Sequence, residues 1–308
     1  MDTGRHARVL LGLTLLLVPA LTWAQATARA SRSSAIAVTP DGSRVWAVNT
    51  DSHSVTVMAV ATDTVVAEIP VGHAPTTLAI SPDGNRVYVA NSESHDLSII
   101  DTTLPGEIGR IPIGAEPWGV VVSPDGLRLY VSDSAQGRVT VLDPATLAVI
   151  AQVPTAPRPR GLAVTDDSSR IVVTHFLTPV PQLNATVTLI DAATSTVTAT
   201  VLLPVPPLLP GVANFMQNVT LRPGAPVAWF PMVQMETGNP NIQLRTTVHA
   251  AFAVVDVALA QELGGQRTHL ERVLARPVSQ PTALDFSPNG AVAFIVNMAS
   301  DDLAILAA

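Results

Sequence analysis

Residues 77–101 read TLAISPDGNRVYVANSESHDLSIID, and this stretch decides the fold. Two alternating apolar segments, 78–80 and 87–90, flank the tetrapeptide Ser81-Pro82-Asp83-Gly84. Proline fixes the backbone at the start of a turn and glycine accepts a left-handed conformation, so the tetrapeptide is typical of a tight turn between antiparallel strands. A third apolar segment, 97–100, follows and ends at an aspartate. The stretch therefore predicts three neighbouring strands of one sheet.

The same tetrapeptide pattern recurs along the chain. Close copies stand 42 residues before and after it, at 39–42 and 123–126, another stands at 287–290, and degenerate copies stand at 165–167 and 222–224. A fourth apolar segment follows the third, as at 65–69 and 149–153, and no helical periodicity separates them. Four strands per period of about 42 residues predict an all-β fold, a β-propeller of four-stranded antiparallel blades. We expect six repeats, which begin near residues 35, 77, 119, 161, 217 and 282.

The first 26 residues are predicted to form a secretory signal peptide. Arg5 and Arg8 precede an apolar run from Val9 to Val18, and Ala24-Gln25-Ala26 offers a cleavage site. The run is too short to cross about 30 Å of hydrocarbon, and no later segment is apolar enough to do so. We expect a signal peptide at 1–26, a propeller at 27–308, a periplasmic or extracellular location, and no membrane span once the signal is removed.

Composition excludes several classes of function. The chain has 17 arginines, no lysine, 24 acidic residues and a formal net charge of −7, which argues against nucleic-acid binding. It has no cysteine, which excludes disulfides, thiolate zinc sites and covalently attached haem. The sequence contains no serine-hydrolase elbow, no zinc-protease helix motif and no phosphate-binding glycine loop. We therefore expect no cofactor and no metal, and we lean against an enzyme.

The sixth repeat is incomplete. It supplies three strands, at 283–286, 291–296 and 303–306, and lacks the fourth. Either the residues after Ala26 supply the missing strand, or the chain is the front part of a longer protein. The segment 27–34 consists of small and polar residues and is a poor strand, so we favour the second alternative.

Two segments of the second repeat, 86–91 and 97–101, resemble the YVTN β-propeller repeat, a WD40-like family, and the resemblance extends over about residues 35–306. Such repeats occur in bacterial and archaeal surface proteins. Similar propellers form lactonase-like enzymes or precede cytochrome c and di-haem peroxidase modules. The resemblance implies a fold and a compartment more than a reaction.

A site is expected where the inter-blade segments meet at the channel mouth. The last residue of each aligned segment should point there, and the ring so predicted comprises Thr76, Trp118, Arg160, Gln217 and Thr282, with Glu116 and Arg158 beside it. An aromatic wall and a five-donor guanidinium suit a small anionic or glycan ligand. The alternative is that Arg158 or Arg160 pairs with Glu116 across neighbouring blades and that Trp118 plugs the channel.

His175 is a further candidate. It stands where other copies have Asn or Asp, and it opens an enlarged loop, 176–184. His53 and His95 recur at the spacing of one blade, so we do not expect them to share a metal ion.

Two functions follow as hypotheses. The first is a non-enzymatic extracytoplasmic scaffold for binding or protein interaction, as a separate protein or as the amino-terminal part of a larger surface or haem-containing protein. Long insertions at 202–215 and 234–251, in blades four and five, would dock a protein partner or a downstream domain. The alternative is a lactonase-like hydrolase, in which Arg160, Glu116 and a histidine such as His175 polarise an ester carbonyl and position water.

Overall fold

The computed structural model describes residues 31–178, 184–205, 211–235, 248–263, 268–270, 281–297 and 302–308. These residues form six small antiparallel sheets in a ring, each built from one repeat. The predicted all-β propeller with an incomplete last blade is confirmed. No helix in the described ranges is long and apolar enough to cross a membrane.

Blades 1 to 4 each contain four strands that pair in chain order, innermost first. One short strand, β1 (Ser31–Arg32), precedes them. The strands of blades 1 and 2 are β2 (Ile36–Val38), β3 (Arg44–Asn49), β4 (Ser54–Ala59), β5 (Thr64–Pro70), β6 (Pro75–Ile80), β7 (Arg86–Asn91), β8 (Asp96–Asp101) and β9 (Gly106–Pro112). Those of blades 3 and 4 are β10 (Pro117–Val122), β11 (Leu129–Asp133), β12 (Arg138–Leu142), β13 (Val149–Pro154), β14 (Pro159–Val164), β15 (Arg170–His175), β16 (Ala185–Asp191) and β17 (Thr196–Leu203).

Blades 5 and 6 are less regular. The strands of blade 5 are β18 (Val212–Asn214), β19 (Thr220–Leu221), β20 (Val227–Met235), β21 (Val248–Asp256), β22 (Gln261–Glu262) and β23 (Thr268–His269). Its inner strand is broken, because β18 and β19 both pair with β20. Blade 6 has three strands, β24 (Pro281–Phe286), β25 (Val292–Asn297) and β26 (Asp302–Ala307). Parts of the two insertions, residues 206–210 and 236–247, lie outside the described residues.

The repeated tetrapeptide forms the expected turn between the first two strands of a blade. Gly84 has a φ of +73°, in the left-handed region that favours glycine. The Ser81 hydroxyl donates to the Asp83 carboxylate and accepts the Arg86 N–H at 2.9 Å. The aspartate that ends the third strand closes the next turn, as the Thr103 hydroxyl and N–H donate to Asp101 and hold its pKa below the usual range.

Neighbouring blades are held together by apolar clusters. The two faces of each sheet carry alternate residues of every strand, so each blade can pack against a neighbour on both sides. Five clusters fill the interfaces 1–2, 2–3, 3–4, 4–5 and 5–6. In the first of them, Trp46 and Val57 of blade 1 pack with Leu78 and Val89 of blade 2. Burial of apolar area at about 25 cal/mol per Å² makes these clusters the main source of stability.

The segment 31–34 runs inside the ring before blade 1 begins. Its strand β1 pairs with β14, with Ser31 opposite Val164. Ser33 is fully buried, and its hydroxyl accepts the Leu162 N–H at 2.9 Å. Residue 34 then bridges to blade 2. Residues 31–34 therefore do not supply the missing strand of blade 6, and residues 27–30 lie outside the described chain.

Candidate functional site

The inner strands of four blades change register near their first residue. The shifts in blades 2 and 6 fall at Thr76 and Thr282, and those in blades 3 and 4 fall within Trp118-Gly119 and Arg160-Gly161. A β-bulge interrupts the regular alternation of side chains between the two faces of a sheet, and these positions are where the inner strands do so. The predicted ring positions thus coincide with a repeated backbone irregularity.

The residues just before the bulges adopt a left-handed conformation. Ala74, Glu116 and Arg158 have φ angles of 52°, 62° and 58°. The N–H of Ala74 donates to Nδ1 of His53 at 3.1 Å, and the N–H of Glu116 donates to Nδ1 of His95 at 3.2 Å. The two histidines therefore recur at blade spacing because each supports the turn into the next blade.

Arg160 is clamped between two aromatic rings. Its guanidinium carbon lies 3.6 Å from the centroid of the Trp118 ring and 3.5 Å from that of Phe176. A planar guanidinium suits this stacked arrangement. Arg160 is only 7% exposed, and its Nε has no hydrogen-bond partner within the described part of the chain. Burial lowers its pKa to about 10, although the nearby carboxylate of Glu116 acts in the opposite direction.

Glu116 is shared by two arginines from the next blade. Its Oε2 lies 3.2 Å from a terminal nitrogen of Arg158, and its Oε1 lies 3.8 Å from a terminal nitrogen of Arg160. The ion pair across neighbouring blades, the first part of the alternative stated from the sequence, is present. Arg158 keeps 49% of its side chain exposed. We call these three residues with Trp118 and Phe176 the arginine cluster; two guanidiniums and one carboxylate give it a net positive charge.

The cluster depends on a close approach of the inner strands of blades 3 and 4. A Cβ atom on Gly119 would lie 2.1 Å from the backbone oxygen of Arg160 and 3.2 Å from the hydroxyl of Ser33. Only glycine fits at this point. The hydroxyls of Thr76 and Thr77 donate to the Trp118 carbonyl at 2.7 Å, which fixes blade 2 against blade 3. The segment 31–34, whose Ser33 is buried, therefore lies beside Gly119 on the inner side of the ring.

His175 lies in the interior of blade 4. Its Nδ1–H donates to the carbonyl of Pro157 at 3.0 Å, and its Nε2 accepts the hydroxyl of Thr188 at 2.9 Å. Burial lowers its pKa to about 4, so the ring is neutral at pH 7. Gln217 is half-buried between β18 and β19, and no hydrogen bond, ion pair or ring contact joins it to the arginine cluster in the described ranges. Of the eight residues that the sequence singled out, the structure brings Glu116, Trp118, Arg158 and Arg160 together. The hydroxyl of Thr76 reaches the carbonyl of Trp118, and Gln217, Thr282 and His175 lie apart from the cluster.

Phe176 is the cluster residue that the sequence reasoning did not single out. The equivalent positions of blades 1, 2 and 3 are Thr50, Ser92 and Ser134, all small hydroxyl residues. The edge of the Phe176 ring meets Phe215 of blade 5, with centroids 5.0 Å apart. A comparison of the copies would have shown this position, because a large aromatic residue there breaks the repeat.

A separate cleft opens between the turns of blades 4 and 5, at the other end of the strands. Its volume is about 470 Å³, and its lining includes Arg170 and Arg222. Arg170 donates to the Thr198 hydroxyl at 2.8 Å, and Arg222 donates to the carbonyls of Gly290 and Ala308 at 3.0 and 2.9 Å. The guanidinium of Arg170 therefore links two strands of blade 4, and that of Arg222 links blade 5 to blade 6.

Comparisons with known proteins agree with the architecture. The family model described as lactonase, 7-bladed beta-propeller, matches residues 14–112, about a third of the chain. No curated protein matches the chain. The hydrazine synthase of Kuenenia stuttgartiensis is similar in structure, with a TM-score of 0.80, 24% sequence identity, and coverage of 88% of this chain and 75% of that chain.

Two further solved structures are similar to the chain. A chain of the mitotic checkpoint complex has a TM-score of 0.64 and 12% identity, with 90% of this chain and 74% of that chain covered. A functionally unknown protein from Desulfotomaculum acetoxidans DSM 771 has a TM-score of 0.66 and 12% identity, with 89% and 82% covered. Identities this low show the fold alone. The expected similarity to lactonase-like propellers is confirmed, and the described residues form six blades, one fewer than that family's description gives.

Proposed function

We propose that the protein is a non-enzymatic, extracytoplasmic binding propeller, whose arginine cluster takes a small ligand that carries a carboxylate. One observation carries the proposal. Two guanidiniums converge on a single carboxylate at the channel mouth, so Glu116 neutralises only part of their charge. On a chain with a net charge of −7, such a positive point is a preferred place for an anion.

The two arginines have different roles in the proposed site. Arg160 is fixed between Trp118 and Phe176, so it holds Glu116 and sets the position of the cluster. Arg158 is half-exposed and contacts Glu116 through one terminal nitrogen, which leaves donors for a ligand. A guanidinium binds a carboxylate through two parallel hydrogen bonds, and the half-buried indole of Trp118 offers an apolar wall beside it. Sugar acids have both a carboxylate, which the guanidinium would bind, and a sugar ring, which the indole would contact.

The contacts of the cluster do not favour hydrolysis. A general base needs a free lone pair near the reacting atoms. Both nitrogens of His175 are engaged, with Nδ1 donating and Nε2 accepting. The two carboxylate oxygens of Glu116 lie 3.2 Å and 3.8 Å from terminal nitrogens of Arg158 and Arg160, so both oxygens face a guanidinium. These contacts support the proposed binding role over hydrolysis.

The extracytoplasmic location rests on the sequence of residues 1–26, with its basic start, apolar run and cleavage site. A second contact, with a protein partner or a further domain, rests on the insertions of blades four and five. Long loops in an otherwise regular repeat are common sites of function.

Isothermal titration with glucuronate and galacturonate tests the proposal. We expect saturable binding that weakens about tenfold or more in Arg158→Ala, as the loss of a charge-assisted pair predicts. Arg110→Ala is the matched control, because Arg110 also pairs with a glutamate, at 2.9 Å, but on the outer strand of blade 2. Equal binding of glucose, or equal weakening in both variants, would count against the site.

The lactonase-like hydrolase is the second candidate, and the match of the family model to residues 14–112 favours it. In that function Arg160 and Glu116 would polarise an ester carbonyl and position water. The two functions differ in one property: a hydrolase turns lactones over, whereas a binding protein only retains sugar acids.

A further inference from the structure

Two blade faces of the ring have no neighbouring blade among the residues that the structure describes. Each of the five apolar clusters joins consecutive blades, and none in the described chain joins blade 6 to blade 1. Five large apolar residues on the three inner strands of these two blades are between 47% and 59% exposed: Ile36, Val38, Val296, Leu303 and Ile305. The other exposed large apolar residues of the described ranges lie on outermost strands, turns or loops. We call the space between these two faces the wedge.

The exposed face of blade 1 can be compared with the equivalent face of blade 2, which a neighbouring blade covers. Ile36 stands 42 residues before Leu78, which is completely buried against blade 1. In the same way Val45 precedes Val87, which is also completely buried in that interface. Blade 1 therefore carries the apolar residues that a preceding blade would bury.

The exposed face of blade 6 can be compared with the equivalent face of blade 2, which blade 3 covers. Aligned through the shared tetrapeptide turn, Leu303 and Ile305 correspond to Leu97 and Ile99 of blade 2. Those two residues are at most 2% exposed and pack against blade 3. Blade 6 thus carries the apolar residues that a following blade would bury.

Within the described ranges, the outer edge of blade 6 has no further strand either. In blades 1 to 4 the third strand pairs with a fourth, whereas β26 is the last strand of its sheet. An apolar edge strand with unpaired backbone groups accepts a further strand readily. The segment 31–34 does not occupy this edge, because it pairs with β14 inside the ring.

We propose that the wedge is the docking surface for one further β-blade of the same repeat type. A strand that precedes this blade pairs antiparallel with β26, and the two faces of the blade carry alternate apolar residues that cover blade 6 on one side and blade 1 on the other. The five filled interfaces of the ring support this occupant, because a blade covers the equivalent positions in each of them. The seven blades in the description of the matching family agree with it.

An extended chain tests the proposal. A copy of residues 102–154, placed after Ala307, supplies a strand like β9 for the edge and a whole blade like blade 3 for the wedge. Blade 3 is apolar on both faces, which makes it a suitable filler. We expect the thermal midpoint to rise by about 5 °C or more, because the added blade buries apolar area on both exposed faces.

Two variants show where the added blade binds. Ile36→Asp should abolish the gain in the extended chain and leave the unextended chain unchanged, since Ile36 is exposed there. Val65→Asp is the matched control, because Val65 is also exposed but lies on the outermost strand of blade 1. The chain has no cysteine, so Val38→Cys gives a single reactive thiol, whose labelling by a maleimide should slow about tenfold in the extended chain.

A shorter extension covers the case in which the long one does not fold. A copy of residues 102–112 alone should protect the amides of β26 from hydrogen exchange. The proposal is overturned if neither extension protects β26 or Val38→Cys. It is also overturned if light scattering shows that the unextended protein is a dimer in which Val38→Cys is already protected, because a second copy would then fill the wedge.

Discussion

Replacement of Arg160 by alanine should destabilise the protein more than replacement of Arg158, the other arginine of the cluster. The side chain is nearly buried, and its guanidinium lies between the rings of Trp118 and Phe176. Arg160→Ala removes both ring contacts and leaves an empty space between the rings. Glu116 keeps Arg158 as its partner, so the change leaves no carboxylate without a counter-charge.

The magnitude follows from the two ring contacts. A cation against one aromatic face is worth about 0.5–1 kcal/mol at an exposed site and about 2 kcal/mol when desolvated. Two desolvated faces give about 4 kcal/mol, from which the cost of burying the charge is subtracted. That cost is visible in the lowered pKa of Arg160. We expect a net loss of about 2 kcal/mol in the free energy of unfolding, or about 4 °C in the thermal midpoint.

Thermal unfolding followed by circular dichroism at pH 7 measures the effect. Arg158→Ala is the control, since a half-exposed ion pair contributes about 0–1 kcal/mol. Arg160→Lys should restore less than half of the loss, because an ammonium is compact, strongly hydrated and unable to stack as a plane. If Arg158→Ala destabilises the protein as much as Arg160→Ala, or if lysine restores the midpoint fully, the clamp is not what stabilises the cluster.

Three further predictions concern the surroundings of the cluster. Gly119→Ala places a methyl group 2.1 Å from a backbone oxygen and should cost about 1–3 kcal/mol in thermal unfolding, whereas Gly109→Ala, with nothing within 4 Å, should be neutral; equal midpoints would contradict the close approach. Burial lowers the pKa of His175 from 6.5 to about 4, so the unfolded state binds the proton more tightly and stability falls as the pH drops from 6.5 to 4. His175→Asn should reduce that fall by about 3 kcal/mol in denaturant titrations at the two pH values, and an unchanged difference would refute the assignment. Ser33→Ala leaves the buried N–H of Leu162 without its acceptor and should cost about 1–3 kcal/mol in the same unfolding assay; an unchanged midpoint would show that the segment 31–34 does not stay on the inner side of the ring.

The fold could be predicted from the sequence because its signals are local and repeated. The tetrapeptide at 81–84 defines a turn within a few residues, and its return after 42 residues defines the blade. The pairing of Glu116 with Arg158 could also be predicted, since the two residues occupy the same repeat position in neighbouring blades. Residues at equivalent positions of consecutive repeats lie in neighbouring blades, so a separation of one repeat in the sequence predicts that they are close in space.

The rest of the site depends on contacts that no local pattern encodes. Phe176 reaches Arg160 only because blades 3, 4 and 5 place three inner segments side by side. His175 turns into its own blade, where the hydroxyl of Thr188 supplies a partner that spacing alone does not show. The segment 31–34 has no strand pattern, and it forms β1 because the ring provides an unpaired inner edge at β14.

Lactone turnover tests the central claim, that the arginine cluster binds and does not catalyse, most directly. Hydrolysis of a panel of sugar lactones is measured for the wild-type protein, Arg160→Ala and Glu116→Gln. The protein concentration is one at which the wild type binds glucuronate. We expect hydrolysis at the uncatalysed rate in all three samples. Turnover by the wild type that is lost in both variants would contradict the claim and identify the cluster as an active site.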